Sequence, residues 1–221
     1  MATSGSRDFT LDVAELIEEA YERCGLEMRT GYDAKTARRS LNLMFADWAN
    51  RGVNLWTVKS GTVSVTAGTT TYSLNADVVD LLEVVVRRSG TDFDMTRISR
   101  GEYQSQPNKA TQGRPNSYYF NRQTTPEVTL WPAPENSTDE IRYYYVQRIE
   151  DADSLTNNVD APFRFLPCMA AGLAYSLSVK KAPERVQLLK SIYEEELQRA
   201  ADEDEDRVPL SLTPSISYLR V

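Results

Sequence analysis

Few residues of this 221-residue chain have the types and spacing that covalent chemistry needs. There is no histidine, which removes the commonest general base, the commonest metal ligand and the usual partner of a serine or cysteine nucleophile. The two cysteines, Cys24 and Cys168, stand at apolar positions of helical periodicity and read as buried thiols. A disulfide is not expected in a reducing compartment, and without a Cys-x-x-Cys pair neither a zinc site nor a redox couple is written. Carboxylates remain. Asp92 and Asp94 flank Phe93 and would face one side of a strand, a minimal arrangement for hydrolysing a glycosidic bond, although two solvated carboxylates give the same pattern. Gly31-Tyr32-Asp33-Ala34-Lys35-Thr36 echoes a phosphate-binding loop, but it lacks the glycine before the lysine and no strand precedes it, so a helix cap is expected. Eight acidic residues between Glu194 and Asp206 could draw a cation or form a solvated face. No metal and no organic cofactor is expected.

Charge offers a different kind of chemistry, that of contact. The formal charge is −7, so a basic face that grips nucleic acid is not expected. Against this acidity, arginines collect in the middle of the chain. Arg87, Arg88, Arg114, Arg122, Arg142 and Arg148 form a candidate subunit interface, because opposite-sign patches suit head-to-tail contacts between identical copies. Ordinary surface arginines stacked on neighbouring tyrosines would give the same pattern.

The elements that must position these residues follow from periodicity. Val13, Leu16, Ile17, Ala20, Tyr21 and Cys24 recur on one face of a helix that Thr10 can cap and Gly25 can end. Ala37, Leu41, Met44, Phe45 and Trp48 make the stripe of a second helix, residues 34–50, capped by Asp33 and stopped by Gly52; the two are expected to pack antiparallel. From residue 53 the period changes to two. Thr62–Thr66, a turn at Ala67-Gly68-Thr69 and Thr71–Leu74 read as a hairpin; residues 79–88 read as a strand that turns at Ser89-Gly90 into residues 92–98. Residues 99–112 read as a helical turn and a loop. Three runs rich in Tyr, Phe and Val, at 117–123, 127–131 and 141–149, are separated by proline-bearing turns and read as an antiparallel meander.

Beyond a polar linker at 151–160, Leu166, Met169, Ala170, Leu173 and Leu177 keep helical spacing, with Pro167 tolerable only in the first turn. Pro183 opens a last helix with the stripe Val186, Leu189, Tyr193, Leu197 and Ala200. The fold class is therefore α+β: a four-helix part from both chain ends (residues 1–52 and 151–206), an inserted antiparallel β domain (53–150) and an extended C-terminal tail (207–221). Pro209 and Pro214 forbid a helix in that tail. Its Leu210, Leu212, Ile216, Tyr218, Leu219 and Val221 must lie back on their own domain or dock on a partner. No stretch is apolar and long enough to cross a bilayer, and the start has no secretory apolar run, so synthesis in a cytoplasm is expected.

The order of features also carries a resemblance. Arg114-Pro115 is followed by Tyr118-Tyr119, by Leu130-Trp131-Pro132-Ala133-Pro134, by a tyrosine-rich strand ending in Arg148, and by Phe165-Leu166-Pro167 opening a small-residue helix, Met169–Leu177. In this order the chain resembles the head-to-tail adaptor (connector, or tail tubular protein A-like) proteins of tailed bacteriophages, loosely over most of its length. The resemblance implies a structural virion protein and not an enzyme. It implies a ring, typically of twelve copies, under the portal protein, receiving the tail tube or nozzle and passing DNA through its centre without specific binding. By the same analogy the tail residues named above would contact the portal. Acidic side chains of the last helix (Glu194, Glu195, Asp202 and Asp204) would face the lumen and repel phosphate. An Asp/Glu-dependent hydrolytic virion enzyme and a receptor-binding β module are the alternative readings.

Overall fold

The structure is a computed structural model and describes residues 3, 5, 6, 8–53 and 55–204. It is a mixed α+β fold with five α-helices and two four-stranded sheets among the described residues.

Helix α1 (Val13–Arg23) begins at Asp12, whose carboxylate accepts from the Glu15 amide while the Glu15 side chain returns to the Asp12 amide. This reciprocal box satisfies two amides that a helix start leaves orphaned. It corrects the expected cap: Thr10 stands two residues too early, and Asp12-x-x-Glu15 is the signal. Helix α2 (Gly31–Arg51) repeats the device with Thr30 and Asp33 and ends at Gly52 in the left-handed region. Asp33 is thus the third residue of the helix and not its cap, because Thr30 offers the first non-helical hydroxyl. The chain then forms β1 (Val58–Ser64), β2 (Thr71–Ser73), β3 (Val78–Arg88), β4 (Thr91–Asp94), β5 (Thr96–Arg97), the short helix α3 (Arg100–Ser105), β6 (Gln112–Gly113), β7 (Ser117–Asn121), β8 (Glu127–Trp131), β9 (Ala133–Pro134) and β10 (Glu140–Gln147). It closes with α4 (Leu166–Lys181) and α5 (Val186–Glu203), the latter continuing from a 3₁₀ turn at Pro183–Arg185.

The first sheet runs β1-β10-β3-β4, antiparallel throughout; the second runs β2-β8-β7-β5. Two of the expected supersecondary units are corrected here, while β3 does turn at Ser89-Gly90 into β4. β1 and β2 do not form a hairpin: β1 pairs with β10 and β2 with β8, and the 65–70 segment turns a corner between sheets. That corner is held by the Tyr72 hydroxyl, which bonds Thr66 and Thr69. β7 and β8 do pair as a hairpin, but the third strand of the expected meander leaves them. Pro132 and Pro134 interrupt the ladder, and β10 crosses to sit between β1 and β3. The β part is also not purely antiparallel, since β5 runs parallel to β7 and β6 parallel to β9.

Buried residues fall into two clusters. One lies between the sheets: Leu81, Val84, Val86, Ile141 and Tyr145 from the first, Tyr118, Phe120, Val128 and Leu130 from the second, with Met95 where the chain passes from β4 to β5. Strand alternation puts their neighbours on the outer faces. The other cluster is helical and draws on α1, α2, α4 and α5. α4 is at its centre. Leu166, Cys168–Ala174, Leu177 and Ser178 are all buried, as expected for a helix that is apolar all round. Helix α1 packs chiefly on α4 and less on α2, so the expected antiparallel pairing of the first two helices is secondary. An aromatic joint fastens the segment entering β1 to the helical cluster. Trp56 lies 4.6 Å from the Phe165 ring and donates to the Asp160 carbonyl at 3.1 Å, and Phe165 in turn packs on Trp48 at 5.5 Å.

Candidate functional site

The outer face of the first sheet gathers the charges singled out in the sequence. On β3, Glu83, Val85 and Arg87 point away from the core; on β10, Glu140, Arg142 and Tyr144 do so; on β4, Asp92 and Asp94 do. Register then places Glu140, Arg87 and Asp92 in one row across three strands. The Arg87 guanidinium grips both Asp92 oxygens, at 2.5 and 2.6 Å. This bond is the main reason why the Asp92 carboxyl titrates below the usual range and the Arg87 guanidinium above it. A carboxylate held ionised in a fork is unsuited to the general-acid half of a glycosidase pair. Arg142 takes Glu140 at 3.2 Å, and its buried Nε finds no partner among the described residues. Ser60, Thr62, Glu83, Val85, Arg87, Asp92, Arg142 and Tyr144 rim a hollow of about 370 Å³. Leu82 and Tyr144, both about half exposed, give this face apolar area that the sequence reading did not pick out.

The other arginines part company. Arg88 turns to the sheet edge and binds buried Asp139 through Nε and a terminal nitrogen (2.7 Å for the latter), with Glu135 at 2.6 Å, so it fastens the loop before β10. Those bonds, Asp139 first, raise its pKa. Arg114 stacks over Phe93 at 3.9 Å, a cation–aromatic contact on a phenylalanine and not on one of the neighbouring tyrosines. Arg122 reaches Asp80 at 3.8 Å, and Arg148 takes Asp151 at 2.8 Å. The structure therefore brings Arg87 and Arg142 together and spreads Arg88, Arg114, Arg122 and Arg148 around the β part and its exit.

Of the acidic set on α5, Glu194 lies 3.6 Å from Lys190, Glu195 pairs with Arg199, and Asp202 accepts from the Gln198 amide at 2.6 Å. Asp204 caps the end of the helix region with its carboxylate buried against Arg164. Glu194, Glu195 and Asp202 are exposed. Leu210, Leu212, Ile216, Tyr218, Leu219 and Val221 lie outside the described residues. The Gly31–Thr36 stretch is a helix start, as expected. The Arg29 and Thr30 amides just before it donate to the Asp33 carboxylate, which Lys181 also engages, so a phosphate would meet a like charge there. Both thiols are free and buried; burial pushes Cys168 up to about 12 and Cys24 above its ordinary value. No group of three or more Cys, Asp or Glu side chains among the described residues is arranged to hold a metal ion, and no described helix is long and apolar enough to cross a membrane.

Charged rows braced by intrachain pairs, exposed apolar side chains between them and two closed cores are features of a structural assembly component. The family model of the SU10 adaptor protein matches residues 11–214, and the chain belongs to that family, the phage head-tail adaptors. Its role is accordingly structural, as a virion component that interacts with other head and tail proteins. A search of curated proteins finds no match.

Proposed function

We propose that copies of this chain close into a ring of twelve that docks on the portal protein and receives the tail tube or nozzle, leaving a central channel for DNA. The family match over residues 11–214 carries this reading. In it, the helices from both chain ends form one part (residues 1–52 and 151–206) with the β part (53–150) inserted, and the segment 207–221 reaches the portal through Leu210, Leu212, Ile216, Tyr218, Leu219 and Val221. The hollow and the apolar pair Leu82 and Tyr144, with Arg87 and Arg142, make the outer face of the first sheet a contact for a neighbouring virion protein. Exposed Glu194, Glu195 and Asp202 would keep a lumen acidic and release DNA, whereas Asp204 is drawn into its pair with Arg164. The chain is made in the host cytoplasm and joins the virion there.

Native mass spectrometry of the full chain, with and without the portal protein, tests the reading. A twelve-copy complex on the portal is expected, and removal of residues 208–221 should abolish it while the helical and sheet signals in circular dichroism persist. No association with the portal under any condition, or turnover of a sugar by the purified chain, would overturn it.

A further inference from the structure

We propose that neighbouring copies meet through two different faces of the helical region: the α2–α4 face of one copy receives the α5 face of the next. This rests on the ring reading above and names surfaces that it leaves open. Helix α2 turns an exposed row outward in which Tyr32, Lys35, Arg39, Leu43 and Ala46 recur at helical spacing. Leu43 is 64% exposed and, beside it, Val179 of α4 is 57% exposed. A hollow of about 330 Å³ opens between them, floored by Met44, Tyr175 and Tyr193. Lys35 and Arg39 have no ion-pair partner among the described residues, and Lys180 reaches only the Ser40 hydroxyl, at 2.6 Å. The face is apolar around Leu43 and Val179, with Asp47, Arg51 and Lys180 also lining the hollow, and it is basic along the flank beyond Leu43, where Lys35 and Arg39 border a second hollow with Arg38, Arg148 and Asp151.

Helix α5 and the turn before it present the complement. Glu184, Leu188, Ile192 and Glu195 follow one another along a single row, with Leu188 64% and Ile192 36% exposed, and this contact takes Glu195 out of the lumen and into the seam between copies. Glu184 has no ion-pair partner among the described residues, and Glu195 and Glu196 share one arginine, Arg199, so the row is acidic on balance. The two faces look in different directions. Glu194 lines a hollow with Arg51 and Val53, on the α2 side of α5. Leu188, Ile192 and Glu195 lie roughly 100–160° further round the helix and look away from α2. Two unlike patches on different flanks make a heterologous contact, which repeats into a ring when the rotation closes. Apolar centres supply the buried area and the opposed rims set register and exclude the reverse pairing.

Two full-length variants test this: Lys35→Glu with Arg39→Glu, and Glu184→Lys with Glu195→Lys. All four sites are exposed, so thermal unfolding by circular dichroism should be unchanged. Alone, each variant carries two like-charged faces and should assemble at least about tenfold more weakly than the natural chain in sedimentation velocity, with and without the portal protein. Mixed in equal amounts, the two should assemble again, because each supplies the face that the other lacks, and native mass spectrometry should find both chains in every ring. If the natural chain forms rings and either variant alone does so equally well, or if the mixture is not rescued, this inference falls and the ring reading stands. If the natural chain stays monomeric under all these conditions, both fall. Should a variant melt early, a Leu43→Cys/Leu188→Cys chain decides under mild oxidation: a ladder longer than dimers supports the contact, and dimers alone or no cross-link overturn it.

Discussion

The indole N–H of Trp48 on α2 donates to the phenolic oxygen of Tyr193 on α5 at 2.9 Å, and both side chains are buried. The two stand 145 positions apart, so this bond ties the first helices of the chain to the last. Tyr193 also stacks on Tyr175 of α4, with ring centroids 6.0 Å apart. Changing Tyr193 to Phe keeps the stack and the volume but strands the indole N–H in a dry core. The expected cost is about 1–3 kcal/mol, read from urea unfolding of the two chains. An unchanged midpoint would mean that water reaches Trp48.

Gly172 lies under the same tyrosine. A Cβ added there would stand 2.5 Å from the Met44 sulfur and 2.7 Å from the Tyr193 ring. Alanine gains about 1 kcal/mol of helix propensity over glycine, but the overlap outweighs it, and a net loss of about 1–2 kcal/mol is expected for Gly172→Ala. Met44 can swing aside; Tyr193, held by Trp48, cannot. Adding Met44→Ala should therefore recover no more than part of the loss. Full recovery in thermal melts would show that the ring moves freely.

Arg88 and Asp139 bind the end of β3 to the loop before β10. The Asp139 side chain is 1% exposed, so the guanidinium takes the place of water as its main partner. Arg88→Met leaves a buried carboxylate with the Asn136 amide as its remaining side-chain donor, at 3.3 Å. A loss of about 3 kcal/mol is expected in denaturant unfolding, since breaking a buried pair from one side leaves an uncompensated charge. Arg88→Met with Asp139→Leu should lose less than the single change. If the single variant unfolds like the natural chain, the pair is solvated and its burial is of no consequence.

The individual elements were largely legible because their signals are local. Helical stripes located α1, α2, α4 and α5, and β-branched and aromatic runs located the longer strands. Even the exposed residues left a trace: Leu43, Leu188 and Ile192 fall off the apolar stripes of their helices, and the structure leaves them facing outward. Pairing was not legible. β1 finds its partner in β10, with Val58 opposite Val146, and nothing near residue 64 says that the chain will turn a corner instead of a hairpin. The separate settings of the clustered arginines were not legible for the same reason. A run of residues shows Arg88 beside Arg87, while alternation across the pleat and a partner some fifty positions on, Asp139, separate their roles.

Asp33 and Lys181 form a pair whose titration can be followed. The Lys181 ammonium bonds the Asp33 carboxylate, which also accepts from the Thr30 hydroxyl at 2.8 Å, and the bond from Lys181 is the larger cause that holds Asp33 at about 2. The ordinary value is 3.8, so the folded state binds this proton less readily than the unfolded chain. The stabilisation is therefore complete above about pH 4 and drains away as pH falls towards 2. For Lys181, raised chiefly by the same bond, the sign is opposite: its contribution is full below its ordinary value of 10.5 and is lost as pH climbs through the raised one. Asp33→Asn removes both effects and lowers stability at neutral pH, partly through the weakened capping box, whose bonds to the Asp33 carboxylate are lost over the same acid range. The test is the difference in melting temperature between the natural chain and Asp33→Asn across pH 2 to 6. It should be constant at the upper end and shrink below about pH 4; two parallel curves would show that the pair contributes nothing to the fold.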